Sequence, residues 1–232
     1  MKPALLLMSA IARMMDPSLT AAQRNDACYS LRGDASKQAL AAMTAALSSR
    51  AVRSCAAQNL READAVDELR QALQSEDAEV RAAAAAEIGH LKRPALLPLV
   101  AEAARDKNLL VASNAVKALA DYQDRIALPN LLHVARGGGM VAALALGRAA
   151  TFREPEVAAA ARNLMDSSDV SVRLAALSAI AELGDETDLP RLRRMARTRE
   201  EALSAEGGFQ LVPSLDLSRA AQNAIGRIEG RR

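Results

Sequence analysis

The sequence predicts an all-α protein built as an α-solenoid of about seven stacked helix pairs. Three observations carry this. Half of the residues are hydrophobic, yet 53 of the 232 are alanine, aromatics are only 2% and there is no Trp. Such a core gains little burial per side chain and must bring backbones close together, which suits helices with small residues at their contacts. Alanine is the best helix former, and the β-branched and aromatic residues of strands are scarce. Second, one alanine-rich line recurs: "VRAAAAAEIGHL" at 80–91, "VRLAALSAIAEL" at 172–183, "VRSCAAQNL" at 52–60 and "RNDACYSL" at 24–31. Weaker copies stand at 111–119, 138–146 and 217–225. Third, the aliphatic residue closing each line (Leu31, Leu60, Ile88, Leu119, Leu146, Ile180, Ile225) recurs at spacings of 29, 28, 31, 27, 34 and 45.

Each recurrent line is read as the second helix of a pair. The first helices fall between them, at 3–15, 35–48, 64–75, 94–105, 125–136, 154–166 and 187–204. Apolar residues there follow helical spacing, as in Leu96, Leu99, Val100 and Ala103. Pro94 and Pro155 fit a first-turn position, where the missing N–H costs nothing, and Pro190 fits after a one-turn shift. Loops such as "QSEDAE" and "DSSDVS" offer N-caps. The opening "MKPALLLMSAIARMMD" has some features of a signal peptide. Its apolar run is short, Arg13 follows at once, and "PALLLM" at 3–8 nearly repeats "PALLPL" at 94–99, so it is read as the first helix of the first pair. The expected domain is a single solenoid with units at 1–33, 34–62, 63–92, 93–122, 123–150, 151–185 and 186–232. An insertion at about 200–216 lies in the last unit and carries Phe209, Leu211 and Val212. It is expected to cap the stack, with a binding role as the alternative.

The line "DSSDVSVRLAALSAIAELGD" at 166–185 resembles the HEAT-repeat family, in particular the short bacterial repeats named after phycobilisome lyases. The resemblance spans essentially the whole chain. It implies a right-handed superhelix, with second helices lining the concave face. It also implies that the motif arginines (Arg24, Arg53, Arg81, Arg173) reach an Asp in their own or an adjacent loop, forming a ladder. Units four, five and seven have Ala112, Gly139 and Ser218 at that position.

Candidate chemistry is sparse. His90 and His133 fall on helices of different units, and no metal-ligand spacing occurs. Neither a metal nor another cofactor is expected. Cys28 and Cys55, one repeat apart, are read as two buried thiols, with a disulfide as the alternative in an exported protein. "ARGGGMV" at 135–141 has neither P-loop nor dinucleotide spacing and is read as a turn. "RLRRMARTR" places Arg191, Arg193, Arg194, Arg197 and Arg199 close together as a candidate site for an anionic partner.

On a helical wheel, the inner side of the second helices carries Tyr29, Arg32, Arg61 and Lys117, then Met140, Leu144 and Leu174. Ala82, Ala86 and Gly89 fall on the same side of unit three. The apolar trio is a candidate partner site unless curvature buries it. The expected function is a non-catalytic protein–protein interaction scaffold in the cytoplasm, with export as the alternative. The expected partner is another protein, and neither a membrane nor a small-molecule substrate is expected. The alternatives are a lyase-like or chaperone-like subunit for chromophore or cofactor attachment, implied by the resemblance alone, and nucleic acid binding through the Arg-rich unit.

Overall fold

The computed structural model describes residues 4–122, 125–197 and 217–231. Among these, every regular element is helical. First helices are α1 (Ala4–Met15), α3 (Lys37–Ala46), α5 (Val66–Ala72), α7 (Leu97–Ala103), α9 (Leu128–Ala135), α11 (Pro155–Leu164) and α13 (Leu189–Arg197). They alternate with second helices α2 (Ala21–Tyr29), α4 (Arg53–Glu62), α6 (Ala78–His90), α8 (Leu109–Asp121), α10 (Gly139–Ala150), α12 (Val170–Leu183) and α14 (Leu217–Glu229). The chain divides into two compact units, Met1–Tyr122 and Gln123–Arg232.

The repeat register read from the sequence is the register of the core. Leu31, Leu60, Ile88, Leu119, Leu146 and Ile180 are all fully buried. Ile225 is only partly buried. Helix α1 seats Leu7 and Met14 in the core, against α2 and α3, as the first helix of the first pair. Side-chain oxygens of Thr20, Ser36, Asp77, Asn108 and Asp169 cap the N-termini of α2, α3, α6, α8 and α12. Each takes up backbone N–H groups that the first turn leaves unpaired.

Three first helices start differently from the expectation. 3-10 turns at Pro94–Leu96, Arg125–Ala127 and Glu186–Asp188 precede α7, α9 and α13. In each case a proline (Pro98, Pro129, Pro190) occupies the second position of the α-helix. A continuous helix would set the proline ring against the carbonyl four residues back.

Small residues serve close packing, most visibly where α6 meets α8. A Cβ built on Gly89 would stand 2.2 Å from the Ala118 Cβ and 2.9 Å from its Cα. Gly89 and Ala82 are buried here, which corrects their expected place on the open inner side. A second helix has neighbours on both flanks, so its open stripe is narrower than a wheel suggests. On α6 the stripe reduces to residues such as Ala83, Ala86 and His90.

Three of the motif arginines, Arg24, Arg53 and Arg81, brace consecutive repeats. Arg81 donates to the Ser75 and Glu76 carbonyls and, through Nε (2.8 Å) and Nη2 (3.1 Å), to the Asp106 carboxylate. Arg53 donates to the Leu47 carbonyl and pairs with Glu79. Arg24 departs from the expectation of an Asp partner. It donates to the Met14 carbonyl and to Ser49 Oγ, because a serine stands in the loop position its guanidinium reaches. Where Gly139 replaces the arginine, its own N–H donates to Asp169 at 2.7 Å. Gly139 has φ +78°, which a glycine adopts without steric cost. The triple-glycine segment is therefore a turn tied to the next repeat.

Cys28 and Cys55 are joined in a disulfide with Cα atoms 6.3 Å apart. The burial expected of two thiols holds, but the free-thiol reading does not. Helices α2 and α4 pack against each other with the small residues Ala27 and Ala56 buried beside the cysteines, and the Cα atoms lie within bonding range.

Candidate functional site

The face of the second helices is the candidate surface. In the first unit it is a row of paired charges. Arg32, past the end of α2, forms a two-pronged pair with Glu62 at 2.5 and 2.6 Å. Arg61 pairs with Glu87 at 2.6 Å, and the His90 ring lies 3.5 Å from the same carboxylate. The Arg32 hydrogen bonds, then one from Gln58, hold the Glu62 carboxyl down at about 2. Arg32 and Arg61 thus each already hold an acid of the next repeat. Tyr29 and Lys117 are exposed on α2 and α8. Between α4, α6 and α8 lies a shallow groove of about 270 Å3, floored by Ala57, Ala82 and Ala86 and walled by Arg53, Glu87 and Leu110.

In the second unit, α10 and α12 carry exposed or partly exposed apolar side chains. Met140 on α10 is 65% exposed, and Leu144 and Leu174 are partly exposed on α10 and α12. Packing of α10 against α12 thus leaves the trio partly open.

The Arg-rich helix α13 does not present a single stripe. Arg191 donates to the Arg162 carbonyl and pairs with Asp166, while Arg193 pairs with Glu229 at 2.8 Å. Arg194 and Arg197 are exposed. Arg191 and Arg194 line a pocket of about 420 Å3 together with Arg173, Met165 and Met195. Arg199 and the 200–216 insertion, including Phe209, Leu211 and Val212, lie outside the described residues.

Several features escaped the sequence reading. Two concavities larger than that groove involve the first helices. One, of about 840 Å3, opens beside α5 and α7 near Leu73, Leu99 and Lys107. The other, of about 830 Å3, runs between α9 and α11 over Leu128, Leu132 and Ala160. The spacing of Leu128 and Leu132 was legible, but the gap between first helices was not. Arg162 forks onto Asp188 and Asp185 at 2.8–2.9 Å, which keeps the nearly buried Asp188 paired. Asn59 on α4 is wholly buried beside the disulfide. No group of three or more His, Cys, Asp or Glu side chains able to hold a metal occurs among the described residues. Among those residues, no helix is long and apolar enough to cross a membrane.

Comparison with solved structures agrees with this architecture. A chain of the structure in which Kap95p binds RanGDP superposes with a TM-score of 0.59 at 16% identity, over 97% of this chain and 35% of that one. Human deoxyhypusine hydroxylase matches with a TM-score of 0.40 at 14% identity, over 97% of this chain and 96% of that one. The CpcE–CpcF phycocyanin lyase complex from Nostoc sp. PCC7120 matches with a TM-score of 0.42 at 21% identity, over 100% and 90%. The first of these likenesses shows the fold alone. A search of the curated proteins finds no match. The model of HEAT repeats matches residues 66–138 and 140–206, more than half of the sequence. With the helix pairs, the recurrent buried aliphatics and the arginine braces, this match makes the chain a member of the HEAT-repeat family.

Proposed function

We propose that this chain is a non-catalytic scaffold that binds a partner protein through its second helices, with the apolar trio of the second unit as the anchor. The observation that carries this reading is Met140, a large apolar side chain 65% exposed beside the partly exposed Leu144 and Leu174. Apolar side chains left open together on an ordered helix face are characteristic of protein contact sites. Within the first unit, Tyr29, Arg32, Arg61 and Lys117 are proposed as polar contact residues of its own second helices. A cytoplasmic location belongs to the same reading. Nucleic acid binding through α13 is the weaker alternative, because Arg191 and Arg193 already pair with acids of their own unit. A steep fall of affinity with salt would favour that alternative. The lyase-like alternative has no residue constellation in its favour among the described side chains.

The test compares partners recovered by affinity capture with wild type and with Leu144→Asp, followed by affinity measurement on the purified pair. A charge at this position should weaken binding at least tenfold while circular dichroism stays unchanged. Equal affinity for the two proteins removes the trio as the anchor.

A further inference from the structure

The Cys28–Cys55 disulfide is enclosed with one polar side chain. Both cysteines and Asn59 are buried, with 1% or less of their surface exposed. Asn59 Nδ2 donates to the Cys28 carbonyl at 2.7 Å and stands 3.7 and 3.8 Å from the two sulfurs. The bond to the carbonyl fixes the orientation of the amide, since turning it over would oppose two oxygens. Asn59 Oδ1 then has no hydrogen-bond partner among the described residues.

A buried acceptor without a donor is costly. A disulfide carries no proton to offer it, whereas a thiol carries one S–H donor. Reduction would supply two S–H donors to the enclosure that holds the unsatisfied oxygen, whose amide nitrogen stands 3.7 and 3.8 Å from the sulfurs; on the proposal that follows they satisfy it and favour the dithiol. We propose that Cys28–Cys55 is a reversible thiol–disulfide latch on the first two repeats, poised by Asn59 for exchange with small cellular thiols. In a reducing compartment, the disulfides that do form are usually transient and redox-sensing.

The exchange balances with a monothiol of the glutathione class. Its thiolate attacks one sulfur, the S–S bond breaks, and a mixed disulfide forms. A second monothiol displaces the protein sulfur. Two monothiols are oxidised to their disulfide, and Cys28 and Cys55 each gain a proton. The buried sulfurs become accessible by local opening at α1 and α2. Helix α1 buries only Leu7 and Met14 and leaves Leu5, Leu6 and Met8 exposed, so this end is the loosely held side of the site.

The test equilibrates wild type and Asn59→Leu in glutathione buffers of defined ratio, traps free thiols with an alkylating agent and counts them by mass spectrometry. Asn59→Ala serves as a second variant if the leucine is not accommodated, and hydrogen exchange of α8 checks the fold. The variants lose the bond to the Cys28 carbonyl in both redox states, so that loss cancels. Wild type should titrate within the glutathione range. The variants should favour the disulfide at least tenfold more, a shift of about 30 mV. In wild type, reduction should speed exchange of the α2 amides at least tenfold. The proposal is overturned if the variants titrate within threefold of wild type. It is equally overturned if wild type stays oxidised under a thousandfold excess of thiol, the behaviour of a permanent staple.

Discussion

Gly89→Ala is expected to destabilise the protein, although the same change in an open helix would stabilise it. The added Cβ would stand 2.2 Å from the Ala118 Cβ, against an ordinary carbon–carbon contact of about 3.5–4.0 Å. The second close atom is the Ala118 Cα at 2.9 Å, which is backbone and cannot rotate away. Helices α6 and α8 must therefore separate by roughly 1.5 Å, opening the contacts of Ala85, Ala115 and Ile88, all buried. Overpacking of this kind costs about 3 kcal/mol, the upper end of the usual range, and the helix propensity of alanine returns about 1 kcal/mol. The net loss of about 2 kcal/mol corresponds to a fall of about 4–8 °C in Tm for a chain of this size. Thermal melts followed by circular dichroism read it directly. Ala118→Gly in the same background should restore part of the loss, because it removes the nearer clash. A rise of 2–4 °C in the single variant would mean that the helices do not meet closely at Gly89, and the account of the small residues would fail.

Two further perturbations address the braces between repeats. Arg81→Met removes donors to two carbonyls and leaves Asp106 without its guanidinium, so the urea midpoint should fall; an unchanged midpoint would make the brace decorative. Acid should weaken the first unit through Glu62. Its carboxyl is held below the ordinary 4.5, so its stabilising contribution is complete above that pH and is lost as pH falls toward 2. Asp106, held low by Arg81, adds to the trend in the same direction. Arg32→Gln should flatten this part of the stability–pH profile, and an unchanged profile would show that the Arg32–Glu62 pair contributes nothing in solution.

The architecture was legible because its determinants are local and repeated. Seven lines of small and aliphatic residues at one period identify the helix pairs, and the buried aliphatics follow that period until Ile225. The exposed surface was less legible, because it depends on how closely neighbours approach. Gly89 faces inward on an isolated wheel but is covered once α8 lies against α6. Met140, on the inner side of the α10 wheel, stays 65% exposed. The disulfide stood second to two free thiols for a related reason. A separation of 27 residues allows pairing but does not require it, and only the close approach of α2 and α4 decides it. Asn59 looked like an ordinary polar residue in a helix until its burial beside the sulfurs was seen.

The claim that the second helices carry the binding surface is tested most directly by site-specific photo-cross-linking. A photoreactive residue is placed at Met140 on α10, and in a second protein at Pro129 on α9, beside the groove between first helices. The account predicts a discrete cross-linked protein from position 140, lost on adding Leu144→Asp, and none from position 129. A cross-link from position 129 alone would place the partner on the first helices and contradict it.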